Sequence, residues 1–206
     1  MNIYQIKKAT LADLPIDSNV WNTANEGSID LYPWEGYQTN VPLTNFYMLY
    51  DKEGIGIKFY SNETNPVGNA KGMNTDVYTD SCVEIFFNAA PEQTDKYLNF
   101  ELSVTGYMHL GFGSGRFDRE LQYIDFSTLH IDTRILEHDK GWEAKFYIPF
   151  SLLEKYYPKL SSNWNGNFQK LCEDCEIPHL GCWNLIETEK PDFHRPEFFG
   201  EITLES

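Results

Sequence analysis

The sequence predicts an all-β protein, a two-sheet antiparallel β-sandwich of jelly-roll-like form with one short helix near 151–157. Three observations point there. Apolar residues recur with a period of two in many short runs, and Gly-, Pro- or Asp-bearing turns separate the runs. A single stretch carries helix start and stop signals. The chain has 206 residues, of which 41% are hydrophobic and 16% aromatic, enough for two packed sheets and within the size that all-β folds fill as one domain. Residues 1–206 are therefore read as one unit.

The chain opens MNIYQIKKATLADLPIDSNV, with Lys7 and Lys8 and no apolar run of signal-peptide length. No stretch reaches the length of a membrane-spanning helix. With Met1 as the natural start this predicts a cytoplasmic protein; a start further upstream leaves secretion open. FYMLY (46–50) and IGIKFY (55–60) flank the turn Asp51-Lys52-Glu53-Gly54 and predict a hairpin. The polar stretch 61–76 is long enough to predict a functional or mobile loop. SCVEIFF, the turn AAPEQTDK and YLNFELSVT (97–105) predict a second hairpin, and YMHLGFG, TLHIDTRIL and GWEAKFYI further strands. In SLLEKYY (151–157), Ser151 and Glu154 have capping-box spacing and Pro158 ends the helix.

Thirty-one acidic residues against 16 basic give a net charge of −15. Without a basic stripe, this argues against nucleic acid and anionic membrane as partners. A neutral ligand, or a cation held by carboxylates, suits the surface better. Four cysteines are too few for a disulfide scaffold. Cys172, Cys175, His179 and Cys182 lie in CEDCEIPHLGC, but zinc sites usually join two ligand pairs across a longer spacer, so reduced thiols in a loop are expected. GFGSGR (111–116) lacks the Gly-Lys-Ser/Thr ending of a phosphate loop and reads as a flexible loop carrying Arg116 and Arg119.

In DSCVEIFFN (80–88), Val83, Ile85 and Phe87 alternate as a buried face does, which places Glu84 on the other face. A hairpin centred near Glu92 and Gln93 sets Glu84 opposite Glu101. Two opposed like charges are destabilising unless water, a cation, an arginine or ligand hydroxyls compensate them. The alternative register leaves each glutamate facing solvent. Arg116 is the expected partner. The same two carboxyls also admit a second reading, a glycoside hydrolase acting on O-glycosyl bonds, since retaining glycosidases hold two carboxyls about 5–5.5 Å apart.

The segments IDLYPW (29–34), VYTDSCVEIFFN (77–88), YLNFELSVTG (97–106), GWEAKFYIPFSLL (141–153), NWNGNFQK (163–170) and PDFHRPEFFGEI (191–202), in this order and spacing, resemble the modules of carbohydrate-binding family 9. The resemblance implies a β-sandwich that binds a saccharide end without catalysis, between two aromatic rings, which fall at Tyr78 and Phe193. Glu84 matches a sugar-contacting acidic position. Where those modules carry a basic residue and an amide, this chain has Glu101 and Ser103. His194 and Trp183 complete the candidate set beside Arg116. The family's usual attachment to polysaccharide hydrolases implies a link to carbohydrate catabolism. No cofactor is required, and a structural calcium bracing the loops is compatible with the resemblance. The identity of the sugar and the oligomeric state are not encoded in any motif.

Overall fold

Alternation decides most strands of the computed structural model, which describes residues 1–11 and 14–206. The described residues form β1 (Ile3–Lys8), β2 (Glu26–Ile29), β3 (Thr44–Tyr50), β4 (Gly54–Ser61), β5 (Cys82–Asn88), β6 (Tyr97–Ser103), β7 (Met108–Gly113) and β8 (Arg119–Leu121), followed by β9 (Asp132–Ile135), β10 (Trp142–Pro149), β11 (Asn163–Cys172), β12 (His179–Cys182) and β13 (Gly200–Leu204). One sheet runs β8-β7-β6-β5-β11-β13-β1, with β12 alongside β11. The other runs β1-β3-β4-β10-β9, with β2 alongside β3.

The two sheets are joined rather than separate, because β1 belongs to both. Ile3–Ile6 pair with Glu201–Leu204, then Lys7 and Lys8 pair with Leu49 and Tyr50. Both of these pairings are parallel, whereas every other strand pairing is antiparallel. The sheets then fold over one another on a shared apolar interior. Phe46 of β3 stacks on Phe168 of β11 with ring centroids 3.5 Å apart, and Phe100 of β6 stacks on Phe146 of β10 at 5.7 Å. Val83, Ile85 and Phe87 enter this core as the alternation predicts. Each such side chain contributes roughly 1.5–3 kcal/mol by leaving water.

Several expectations are corrected. The helix α1 covers only Phe150–Leu153 and continues as turns to Tyr157. Ser151 lies inside it, exposed, and the N-cap position is Pro149, so no capping box forms. The first residues of TLHIDTRIL form a 3-10 turn, and the strand there is only Asp132–Ile135. Of GFGSGR, Gly111, Phe112 and Gly113 are paired residues of β7, and Ser114, Gly115 and Arg116 enter the β7–β8 turn. The 61–76 stretch is tied down: Asp80 accepts hydrogen bonds from the amides of Asn69 and Ala70, and Asn74 Oδ1 accepts one from Leu110. Cys172 and Cys175 form a disulfide, Cys82 and Cys182 are free and buried, and His179 and Cys182 belong to β12 rather than a loop.

One charged cluster lies inside the sandwich. Lys170, fully buried, places Nζ 3.1 Å from Glu63 Oε2, donates to the carbonyl of Leu171 at 3.0 Å and lies 2.8 Å from His179 Nε2. Trp142 Nε1 and Ser81 Oγ donate to the same carboxylate at 2.8 and 2.9 Å. Burial raises the Glu63 carboxyl, but Lys170, Trp142 and His179 outweigh it and hold it below the usual value. Burial and then the Lys170 ammonium push His179 down to about 4.

Because the folded pKa of both groups lies below the unfolded one, their stabilising contribution is present at neutral pH. It is lost as the pH falls, from 6.5 toward about 4 for His179 and below 4.5 for Glu63. Glu63→Gln should leave the ammonium uncompensated and cost about 3–5 kcal/mol in urea unfolding at neutral pH. A loss below 1 kcal/mol would show that the cluster is not a stabilising ion pair.

Candidate functional site

Four strands, β11, β5, β6 and β7, turn one set of side chains into the core and the alternate set outward. On the outer face Gln169 stands opposite Glu84, Glu84 opposite Glu101, and Glu101 opposite His109. Glu84, Glu101 and His109 form the floor of a cleft of about 310 Å³, toward the small end of the roughly 300–1,000 Å³ typical of small-molecule sites, and Gln169 lies wholly buried beside them. Glu84 and Glu101 are only 2% and 4% exposed, so they form a buried floor rather than an open sheet face. Loops roof the row: the 3-10 turn Val77–Thr79, the segment after Cys172, and Pro191–His194.

The walls are aromatic and basic. Tyr78 and Phe193, both half-buried, line the cleft, and Trp34 braces Phe193 edge-on at 5.3 Å. His194 stacks on Phe86 at 4.7 Å. Arg119 lies over the Tyr97 ring at 4.8 Å, donates to Tyr97 Oη at 3.0 Å and to Asn99 Oδ1, and approaches His194 Nδ1 at 2.7 Å. An arginine only donates, so His194 Nδ1 is the acceptor and Nε2 carries the proton. Burial, then Arg119 and Arg116, push His194 down to about 2, in keeping with a neutral ring. Gly111 makes room for this array: a Cβ there would lie 2.5 Å from Asn99 Oδ1 and 3.1 Å from Arg119 Nε.

Burial raises the Glu84 carboxyl well above its ordinary value, and the facing Glu101 and Glu173 raise it further against Arg119. Burial likewise raises Glu101, and His109, Asn99, Arg119 and Arg116 oppose the shift. Four buried side-chain atoms find no hydrogen-bond partner among the described residues: Glu84 Oε2, Arg119 Nε, and both amide atoms of Gln169. Glu84 and Arg119 line the cleft, and Gln169 is paired with Glu84 across the strands without lining it. A buried polar atom left unpaired costs about 1–3 kcal/mol, so the cluster is arranged for a partner from outside the chain. A larger hollow of about 450 Å³ lies on the other sheet, near Trp21, Lys145 and Tyr147, and contains none of these atoms.

Tyr78, Glu84, Glu101, Arg116, Phe193 and His194 thus come together around one cleft. Ser103 and Trp183 do not. The Ser103 hydroxyl donates to Asp80 at 2.6 Å, and Trp183 packs edge-on against Phe46 and Phe168 in the core. Arg116, half exposed and 3.7 Å from Asp192, is less engaged with the floor than Arg119. Gln169, Arg119, Glu173 and His109 went unassigned in the sequence. The signal for Gln169 was the alternation of Trp164, Gly166 and Phe168, which turns Gln169 to the other face.

Zinc has no set of thiolates, because Cys172 and Cys175 are bridged and His179 Nε2 faces Lys170 and Glu63. Among the described residues, one group of three His, Cys, Asp or Glu side chains lies close enough together to share an ion, Glu63 with the two bridged sulfurs.

Residues 17–204 match the model of carbohydrate-binding family 9. No curated protein sequence matches the chain. A candidate carbohydrate-binding protein from Bacteroides uniformis has the same fold, with a TM-score of 0.83 and 23% identity over 98% of this chain and 99% of its own. A family 9 carbohydrate-binding module from Caldicellulosiruptor kristjanssonii has been solved with cellotriose and with glucose. Both structures give a TM-score of 0.67 and 16% identity over 99% of this chain, covering 94% and 96% of theirs.

The raised carboxyls predict a measurable instability. A folded pKa above the unfolded value gives a contribution that is present below about 4.5 and lost as the pH rises through the folded value. Glu84→Gln should therefore raise the thermal midpoint of the unliganded protein at neutral pH and leave it unchanged near pH 4. A lower midpoint at neutral pH would mean that Glu84 is a satisfied structural residue.

Proposed function

Because the chain belongs to carbohydrate-binding family 9, we propose that it binds a small saccharide or glycan end, without catalysis, in the cleft above Glu84. The observation that carries this is the juxtaposition of an unpartnered acceptor, Glu84 Oε2, and an unpartnered donor, Arg119 Nε, with aromatic side walls in one cleft. A pyranose presents the complementary chemistry. Its hydroxyls both donate and accept, and its C–H faces are apolar enough to stack on rings such as Tyr78 and Phe193. The two Caldicellulosiruptor complexes, with cellotriose and glucose, support the ligand class.

Binding suits the geometry better than hydrolysis does. Glu84 and Glu101 stand side by side on one floor, on adjacent strands. A glycosidase needs its two carboxyls to flank the scissile bond, so that one attacks from the face opposite the leaving group.

A calorimetric screen of mono- and disaccharides tests the reading. Tyr78→Ala should weaken the best ligand several-fold, since ring stacking contributes about 0.5–1.5 kcal/mol. Glu84→Ala should weaken it more, because a hydrogen bond to a charged group contributes roughly 1.5–3 kcal/mol. If neither substitution changes affinity in folded protein, the saccharide lies elsewhere. Chromogenic glycosides should release no product; release abolished by both Glu84→Gln and Glu101→Gln would make the protein a hydrolase.

A further inference from the structure

We infer that the preferred ligand is a cationic saccharide, an amino sugar carrying a free ammonium group, and this rests on the saccharide reading above. The charged side chains lining the cleft are Glu84, Glu101, Glu173 and Asp192 against Arg116 and Arg119, and no lysine lines it. The two arginines are already engaged. Arg119 is held by Tyr97, Asn99 and His194, and Arg116 lies nearest Asp192.

Neither floor glutamate has an ion-pair partner among the described residues; His109 stands opposite Glu101, but its Nδ1 turns to the carbonyl of Thr75 at 3.2 Å. Glu101 accepts from the Asn99 amide at 2.7 Å. Glu84 has only the weak thiol contact of Cys82 at 3.9 Å, and its Oε2 has no partner among the described residues. No basic side chain among the described residues lies within ion-pairing distance of Glu84, Glu101 or Glu173. Elsewhere the same fold answers a buried carboxylate with a buried cation, as Lys170 does for Glu63. In the cleft it does not.

An ammonium group brings what the floor lacks, three N–H donors and a positive charge set between two opposed carboxyls. A neutral hydroxyl brings one donor and leaves the like-charge opposition in place. Arg119, which lines the cleft, keeps Nε unpaired and matches a ring hydroxyl, which distinguishes an amino sugar from a simple alkylamine. The Tyr78 and Phe193 rings remain available to the sugar's C–H face.

The test is calorimetry on three probes that differ only at one carbon, glucosamine, glucose and N-acetylglucosamine, repeated with the galacto series, below the pKa of the amine. The amine should bind about tenfold or more tightly than its neutral counterparts, as one additional charge-assisted hydrogen bond implies. Glu101→Gln should bring the ratio of amine to neutral affinity close to one. Glu173→Gln, on the exposed rim where folding is not at stake, should reduce it in part. Equal or tighter binding of glucose or N-acetylglucosamine would overturn the amine preference and leave the saccharide reading standing. Failure of every probe, together with the wider saccharide screen, would remove both. Calcium alone competing for the cleft, with loss in Glu84→Gln, would make the expected cation a metal and overturn the inference.

Discussion

The pairing register of β5 with β6 is the constraint on which the rest depends. With Glu84 opposite Glu101, alternation sends Ile85 and Phe100 into the core and both carboxyls into the cleft. A slip of one residue would exchange the two sets, burying the acids between the sheets and lining the cleft with Val83 and Leu102. The hairpin is pinned against such a slip. Asn88 accepts from the amide of Ala90 and donates to the carbonyl of Thr94, and the Tyr157 hydroxyl donates to the carbonyl of Phe87. The turns after α1 therefore have a role beyond closing the sandwich, since they carry the tyrosine that holds this register.

The molecule treats buried charge in two ways. Between the sheets, Glu63 is matched by Lys170, Trp142 and Ser81, and the cluster closes one end of the interior. On the outer face, Glu84 is more deeply buried yet incompletely matched. Local instability of this kind is concentrated where a ligand completes the site, and the surrounding sheet must be stable enough to hold it open. The stacked Phe46–Phe168 pair and the Trp183 ring against it supply part of that stability directly beneath β11.

Much of this was legible in the residues. Period-two alternation is strongest where one face is wholly apolar, so β5, β6 and the β3–β4 hairpin stand out, and with them the opposition of the two glutamates. It fades where the inward face is short or interrupted. β1 contributes only Tyr4 and Ile6 to the core. In β11 the inward set Trp164, Gly166, Phe168 and Lys170 includes a glycine and a charge, which interrupts the apolar face, and Gln169 passes unnoticed. Arg119 was hidden for another reason. Its place beside the floor depends on Gly111 and on the tightness of the β7–β8 turn, neither of which periodicity encodes. Ser103 shares the face of Glu101 but lies beyond the cleft, where Asp80 claims its hydroxyl, and Trp183 turns into the core.

The strand that joins the sheets has a consequence for how the chain reaches this state. Ile3–Ile6 pair with Glu201–Leu204, so the last hydrogen-bonded seam links segments separated by nearly the whole sequence. Contacts this distant incur their loop-closure entropy before they contribute any stability, which places them late and makes folding slow. During synthesis the β3–β4 and β5–β6–β7 meanders can form as soon as they leave the ribosome, whereas β1 must wait for β13 with its Ile202 side uncovered. A nascent chain halted before residue 200 would hold most of its strands yet lack the ladder between its halves. The interval between those two states is when this fold is most open to pairing with the wrong edge.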